Sequence, residues 1–106
     1  MITTRGYTSE DEGAFLALYR ECLSHYGLEP ATSQQEARIL LLLNSGRHMS
    51  CHIAFQGTRP LGFATWVLTF PSGTDVALYM KELFVTKAAR GEGTGRAIMA
   101  SLVRIA

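Results

Sequence analysis

Apolar residues recur along this chain with two periods, and the switches between them mark the elements. Ile2 to Thr8 alternates weakly between apolar and polar side chains, the period of a strand with one covered face. Phe15, Leu18, Tyr19, Cys22 and Tyr26 then fall at helical spacing and give one apolar side. Ser9 and Glu12 stand at capping-box spacing ahead of this helix, and the acidic cluster around them suits its positive end. Gly27 closes the helix, with Pro30 just beyond. A second helix is announced by Ser33 and Glu36, runs through Ile39 to Leu43 and stops at Asn44-Ser45-Gly46. Met49 to Gln56 and Leu61 to Phe70 read as strands around the turn Gly57-Thr58-Arg59-Pro60, an antiparallel hairpin. After a loop at Pro71 to Asp75, Ala77 to Val85 is the next strand. Thr94 to Ala106 is the last helix, with Ile98, Leu102 and Ile105 on one face and Met99 and Val103 beside it.

The order is strand, helix, helix, three strands, a glycine-rich loop and a helix. This predicts an α/β chain of the α+β type, a mixed, mostly antiparallel sheet with flanking helices. At 106 residues, positions 1–106 make one domain with one core, and neither a repeat nor a linker divides them. Net charge is +1 with 18% charged residues, so no global field points to nucleic acid or an anionic membrane; any basic function is local. The longest apolar run, Ile39 to Leu43, is too short to span a bilayer, and the start lacks a secretory pattern. A cytoplasmic location is therefore expected.

Candidate chemistry changes this picture at few places. Cys22 and Cys51 lie far apart, with no paired metal spacing, and read as buried free thiols. Cys51 has no paired base in sequence that would make it a nucleophile. His25, His48 and His52 form no metal set; His48 and His52 share a strand face by alternation, but two ligands are too few, and no metal is expected. Phe63, Trp66, Phe70 and Tyr79 read as core or pocket wall.

The segment Ala89 to Ala97, ARGEGTGRA, is different. Its glycines Gly91, Gly93 and Gly95 alternate just ahead of a good helix. A helix start has unpartnered amides and partial positive charge, so an anion satisfies both. Glycine lets a phosphate approach the backbone, and Arg90 and Arg96 add charged, forked donors. The loop is not a Walker A motif, because no Gly-Lys-Ser/Thr ends it. Nor is it the dinucleotide fingerprint, since Arg96 stands where the third glycine belongs. The spacing that fits is Arg-x-x-Gly-x-Gly, at Arg90, Gly93 and Gly95.

Tyr79-Met80-Lys81-Glu82-Leu83-Phe84-Val85, a short link, and Arg90 to Arg96 together resemble the acetyl-CoA motif of the Gcn5-related N-acetyltransferases. The upstream order of elements and Gly62-Phe63-Ala64-Thr65-Trp66 agree with that family's pattern. The resemblance covers the whole chain, and its specific part runs from Leu78 to Leu102.

The resemblance implies that the loop amides of Arg90, Gly91, Glu92, Gly93, Thr94, Gly95 and Arg96 hold the pyrophosphate of acetyl-CoA. It implies that Leu83, Phe84 and Val85 pair through their backbone with the pantetheine arm. A strand end with unpaired amides is a template for such a ligand. The acceptor is a primary amine of a small molecule or peptide, with a lean toward small polyamine-type amines. Glu82 is the expected general base; it serves equally as a holder of the cationic substrate, or as a plain partner of Lys81 or an arginine. The family continues beyond a helix like Thr94 to Ala106 with a fifth strand, another helix and a closing hairpin. The expected fold is thus C-terminally shortened, with a homo-oligomer, most simply a dimer, covering the open sheet edge. The rival expectation is a non-catalytic CoA-binding or dimer-assembly module; a purely structural fragment that binds nothing is the third.

Overall fold

The computed structural model describes residues 1–69 and 77–105. The expectations for Phe70, for the loop at residues 71–75 and for Ala106 fall outside these residues. The elements run β1 (Thr3–Gly6), α1 (Glu12–His25), α2 (Ser33–Ser45), β2 (Ser50–Gln56), β3 (Arg59–Thr69), β4 (Ala77–Val85) and α3 (Thr94–Ile105), with short 3-10 turns at Ser9–Asp11 and Lys87–Ala89. The strands form a four-stranded sheet in the order β1-β2-β3-β4. Each neighbouring pair is antiparallel, so the described sheet is antiparallel throughout.

The sheet is covered on both faces. On one, Phe15, Leu18 and Cys22 of α1 and Leu43 of α2 pack on Cys51, Ile53, Phe55, Phe63 and Phe84. On the other, Ile98 and Leu102 of α3 pack on Ala54, Leu61, Ala64 and Trp66. Phe63 and Trp66 are core, as expected, but Tyr79 is 61% exposed. That overturns the expectation of a core or pocket-wall role: Tyr79 pairs with Val67 near the far end of β3, beyond the reach of the cluster around Phe15.

Both capping boxes sit one residue earlier than their spacing suggests, the first on the 3-10 turn that leads into α1. At the first, the Thr8 amide donates to Asp11 Oδ2 at 2.9 Å rather than Ser9 pairing with Glu12. Arg5 selects Asp11 by forking onto its carboxylate at 2.7 and 2.8 Å, while Glu12 takes the Asn44 amide at 2.8 Å. At the second, Thr32 and Gln35 form the capping box, with bonds of 2.9 and 3.1 Å. Glu36, the carboxylate expected there, is held by Arg20 through two bonds of 2.8 Å. In each case a cation or amide from another element draws off the carboxylate that local spacing nominates.

Candidate functional site

β4 carries the candidate site, and its pairing with β3 is irregular. Thr65 faces Glu82 but Trp66 faces Met80, so Lys81 is an extra residue. Such a bulge turns two consecutive side chains toward one side and bends the strand. The packing agrees: Leu78, Met80, Leu83 and Val85 all lie on the α3 side, although strict alternation would put 78 and 80 opposite 83 and 85. Lys81 and Glu82 consequently reach the α1/α2 side together, with Nζ and Oε1 3.6 Å apart.

There they edge a cavity of about 200 Å³ that also touches Phe15, Tyr19, Ile39, Leu42 and Met49. Glu82 is 31% exposed at this position. Tyr19 titrates above the usual phenol range, chiefly through burial and then through the Glu82 charge. Thr65, across from Glu82, is buried, and its hydroxyl has no hydrogen-bond partner among the described residues.

Beyond the bulge β4 is regular, and β4 closes the sheet order. Thr86 donates its amide to Leu61 O at 2.8 Å. Backbone groups alternate sides along a strand, so Leu83 and Val85 turn theirs to the open edge and Phe84 turns its own toward β3. Two contacts agree. A Cβ on Gly62 of β3 would lie 2.6 Å from Phe84 O, and Arg90 Nε reaches Val85 O from outside at 3.0 Å. Of the three residues expected at the pantetheine edge, Leu83 and Val85 thus face it with their backbone and Phe84 does not.

The strand then hands over to the loop through a side chain that sequence reasoning missed. Glu21 of α1 accepts from Thr86 Oγ1 at 2.7 Å and from the Lys87 amide at 3.0 Å. The turn Lys87–Ala89 follows, and Gly91 and Gly93 adopt φ of +83° and +84°, a region open to glycine at little cost. Ala97 makes the first intrahelical bond of α3, to Gly93 O at 2.9 Å; the amides ahead of it have no carbonyl one turn back inside the helix. Arg90, Gly91, Glu92, Gly93 and Arg96 are exposed around this start, Gly95 is half-buried, and Thr94 is buried, its hydroxyl 3.5 Å from Ala89 O. The structure therefore brings the loop residues to one surface and sets Glu82 on the strand that feeds it.

The remaining candidates lie apart. His52 accepts from Trp66 Nε1 at 3.1 Å, and burial lowers its pKa. His48 precedes β2 and is exposed, so the pair does not share a strand face. Burial pushes the Cys51 thiol up to about 12, and Cys22 and Cys51 are both free and buried. Among the described residues, no cluster of three or more His, Cys, Asp or Glu is arranged to hold a metal ion, and no helix is long and apolar enough to cross a membrane.

Fold and loop together define a class: an antiparallel sheet whose last strand in the order runs into an exposed, glycine-rich helix start. No family model and no curated protein matches the chain, but solved structures do. An integron cassette protein from the mobile metagenome of V. cholerae superposes with a TM-score of 0.82 at 27% identity, over 99% of this chain and 67% of that one. The aminoglycoside N-acetyltransferase AAC(6')-Iy, in complex with the bisubstrate analogue CoA-S-monomethyl-acetylneamine, gives 0.80 at 15% identity, over 98% and 70%. A predicted acetyltransferase from Clostridium acetobutylicum with acetyl-CoA gives 0.77 at 18%, over 98% and 72%. The chain has the Gcn5-related N-acetyltransferase fold, and it spans about 70% of the length of these neighbours.

Proposed function

We propose that this chain is an acetyl-CoA-dependent N-acetyltransferase acting on a primary amine of a small molecule or peptide. The observation that carries the reading is continuity: the outward-facing backbone of Leu83 and Val85 leads, within one strand and turn, to a helix start opened by Gly91 and Gly93. The residues fit acetyl-CoA, since the open edge suits an extended amide-bearing arm and a Cβ at neither glycine would meet an obstacle within 4 Å. The solved neighbours that hold CoA-type ligands add support.

Acetyl-CoA would supply an acyl thioester. The pyrophosphate would lie on the amides of residues 90–96, with Arg90 and Arg96 as charged donors. An edge N–H from Leu83 or Val85 is placed to polarise the thioester carbonyl. The neutral amine attacks the carbonyl carbon, the C–N bond forms and the C–S bond breaks, and the electron pair leaves with sulfur as thiolate. Glu82 attracts the cationic amine and, directly or through water, takes the proton whose loss makes the amine neutral; the second N–H proton, lost after attack, passes to the leaving thiolate.

Calorimetric titration with acetyl-CoA, with Gly93→Val as control, tests the reading. Saturable binding that the substitution abolishes, followed by amine-dependent release of CoA, is the expected result. A folded chain that does not bind acetyl-CoA overturns it. A second reading is a CoA-binding or dimer-assembly module, drawing on the open β4 edge and on the exposed apolar side chains Leu68 and Val103, at 57% and 69%. That reading predicts affinity without turnover, and a concentration-dependent mass in light scattering.

A further inference from the structure

We infer that the acceptor is a primary monoamine with a compact apolar body, its ammonium held between Glu82 and Thr65 and its body seated in the cavity under α1 and α2. This inference rests on the acetyltransferase reading for its reaction, but not for its binding site.

The bulge at Lys81 puts Glu82 opposite Thr65 on the cavity side of the sheet. Glu82 is part-exposed there, whereas Thr65 is buried with an unpartnered hydroxyl. A buried hydroxyl without a partner is costly, and a donor arriving with a ligand removes that cost. An ammonium carries three donors, enough for the carboxylate and the hydroxyl together. Beyond these two groups and Lys81 the wall is Phe15, Tyr19, Ile39, Leu42, Leu43 and Met49, which offers hydrophobic contact with the Tyr19 hydroxyl as its one further polar group among the described residues. The volume, about 200 Å³, exceeds the roughly 150 Å³ of an apolar cavity known to accept benzene.

The electrostatics point the same way. Among the described residues Glu82 is the one carboxylate on this cavity, and it already shares its charge with Lys81 at 3.6 Å. A polycation brings several ammonium groups, and each one buried without a carboxylate is penalised. A site built for polyamines or aminoglycosides would need more acid than this. The earlier lean toward polyamine-type amines therefore gives way to an apolar monoamine.

The test measures binding of phenethylamine, ethylamine and spermidine to the whole chain by competition calorimetry, with and without acetyl-CoA. Phenethylamine is expected to bind at least tenfold more tightly than either of the others. Leu42→Phe, which fills the cavity, is expected to erase that advantage while leaving acetyl-CoA binding unchanged. Thr65→Val, nearly isosteric, is expected to weaken phenethylamine about fivefold or more. Spermidine binding as tightly as phenethylamine overturns the inference, as does a phenethylamine advantage that survives Leu42→Phe. If acetyl-CoA fails to bind while this amine ranking holds, the transferase reading falls and the amine site stands. If acetyl-CoA binds and the ranking fails, the reverse is true.

Discussion

The two faces of the sheet are built to opposite ends. Under the middle of α3 the layer is closed with small side chains: Ala54, Ala64 and Ala89 have no exposed surface, nor has Ile98, and Leu102 is nearly as sealed. Small side chains there let α3 sit close to the strands, which fixes the helix start that the glycine loop feeds. Under α1 and α2 the layer is aromatic, with Phe15 in contact with Phe63 at 5.2 Å and with Tyr19 at 5.6 Å between ring centres. Aromatic rings cannot fill every gap beside a bulged strand, and a cavity remains at Glu82. One face holds a backbone still; the other keeps room for a guest.

Three tests break or sharpen that contrast. The largest effect is expected at Gly62, which serves both faces. Its missing Cβ makes way for Phe84 O at 2.6 Å and Val85 Cα at 3.2 Å, both backbone, so neither can swing aside. Gly62→Val should destabilise the chain by about 3 kcal/mol or more, read as a lower urea midpoint. Next come paired enlargements, one on each face. Ala64→Leu has nowhere to go under α3 and should cost about 1–3 kcal/mol, whereas Leu42→Phe grows into the cavity and should cost less than about 1 kcal/mol. Equal losses from the two in denaturant melts would mean the faces are packed alike.

The third effect is electrostatic and belongs to the start of α1. The forked bond from Arg5 holds Asp11 at about 2, below its ordinary 3.8. A depressed carboxylate stabilises the fold fully above its unfolded pKa, and that stability is lost as pH falls through the folded one. Between pH 4 and pH 2 the start of α1 should lose about 1–2 kcal/mol, with Arg5 half exposed and partly screened. Amide exchange should show α1 loosening before α3, and Asp11→Asn should flatten the difference.

Much of this was legible in the chain. The order of elements followed from periodicity, and β4 and the start of α3 fall where the pattern put them, because strand and helix periods differ sharply around the glycine loop. The bulge left no parity signal, since Leu78-Tyr79-Met80 and Leu83-Phe84-Val85 are apolar at odd and even positions alike; only the polar pair Lys81-Glu82 marks its place. Other features left no local trace. Glu21 and Thr86 stand 65 positions apart, and only folding brings the carboxylate to the loop. The capping boxes slipped by a residue for the same reason, since Arg5, Arg20 and Asn44 compete from other elements. Thr65 read as an ordinary strand threonine; its importance comes from which side chain the bulge sets opposite it.

That bulge also acts as a reading frame for β4. Upstream of Lys81 one parity faces α3, and downstream the other parity does. A one-residue deletion elsewhere in the strand would shift part of it out of frame and turn the carboxylate or the apolar positions to the wrong layer. Loss of Lys81 itself would instead restore strict alternation, leaving Met80 and Glu82 adjacent on the faces they already hold. The strand therefore carries two frames joined at one residue, and only at that residue is a change of length absorbed without turning side chains to the wrong layer.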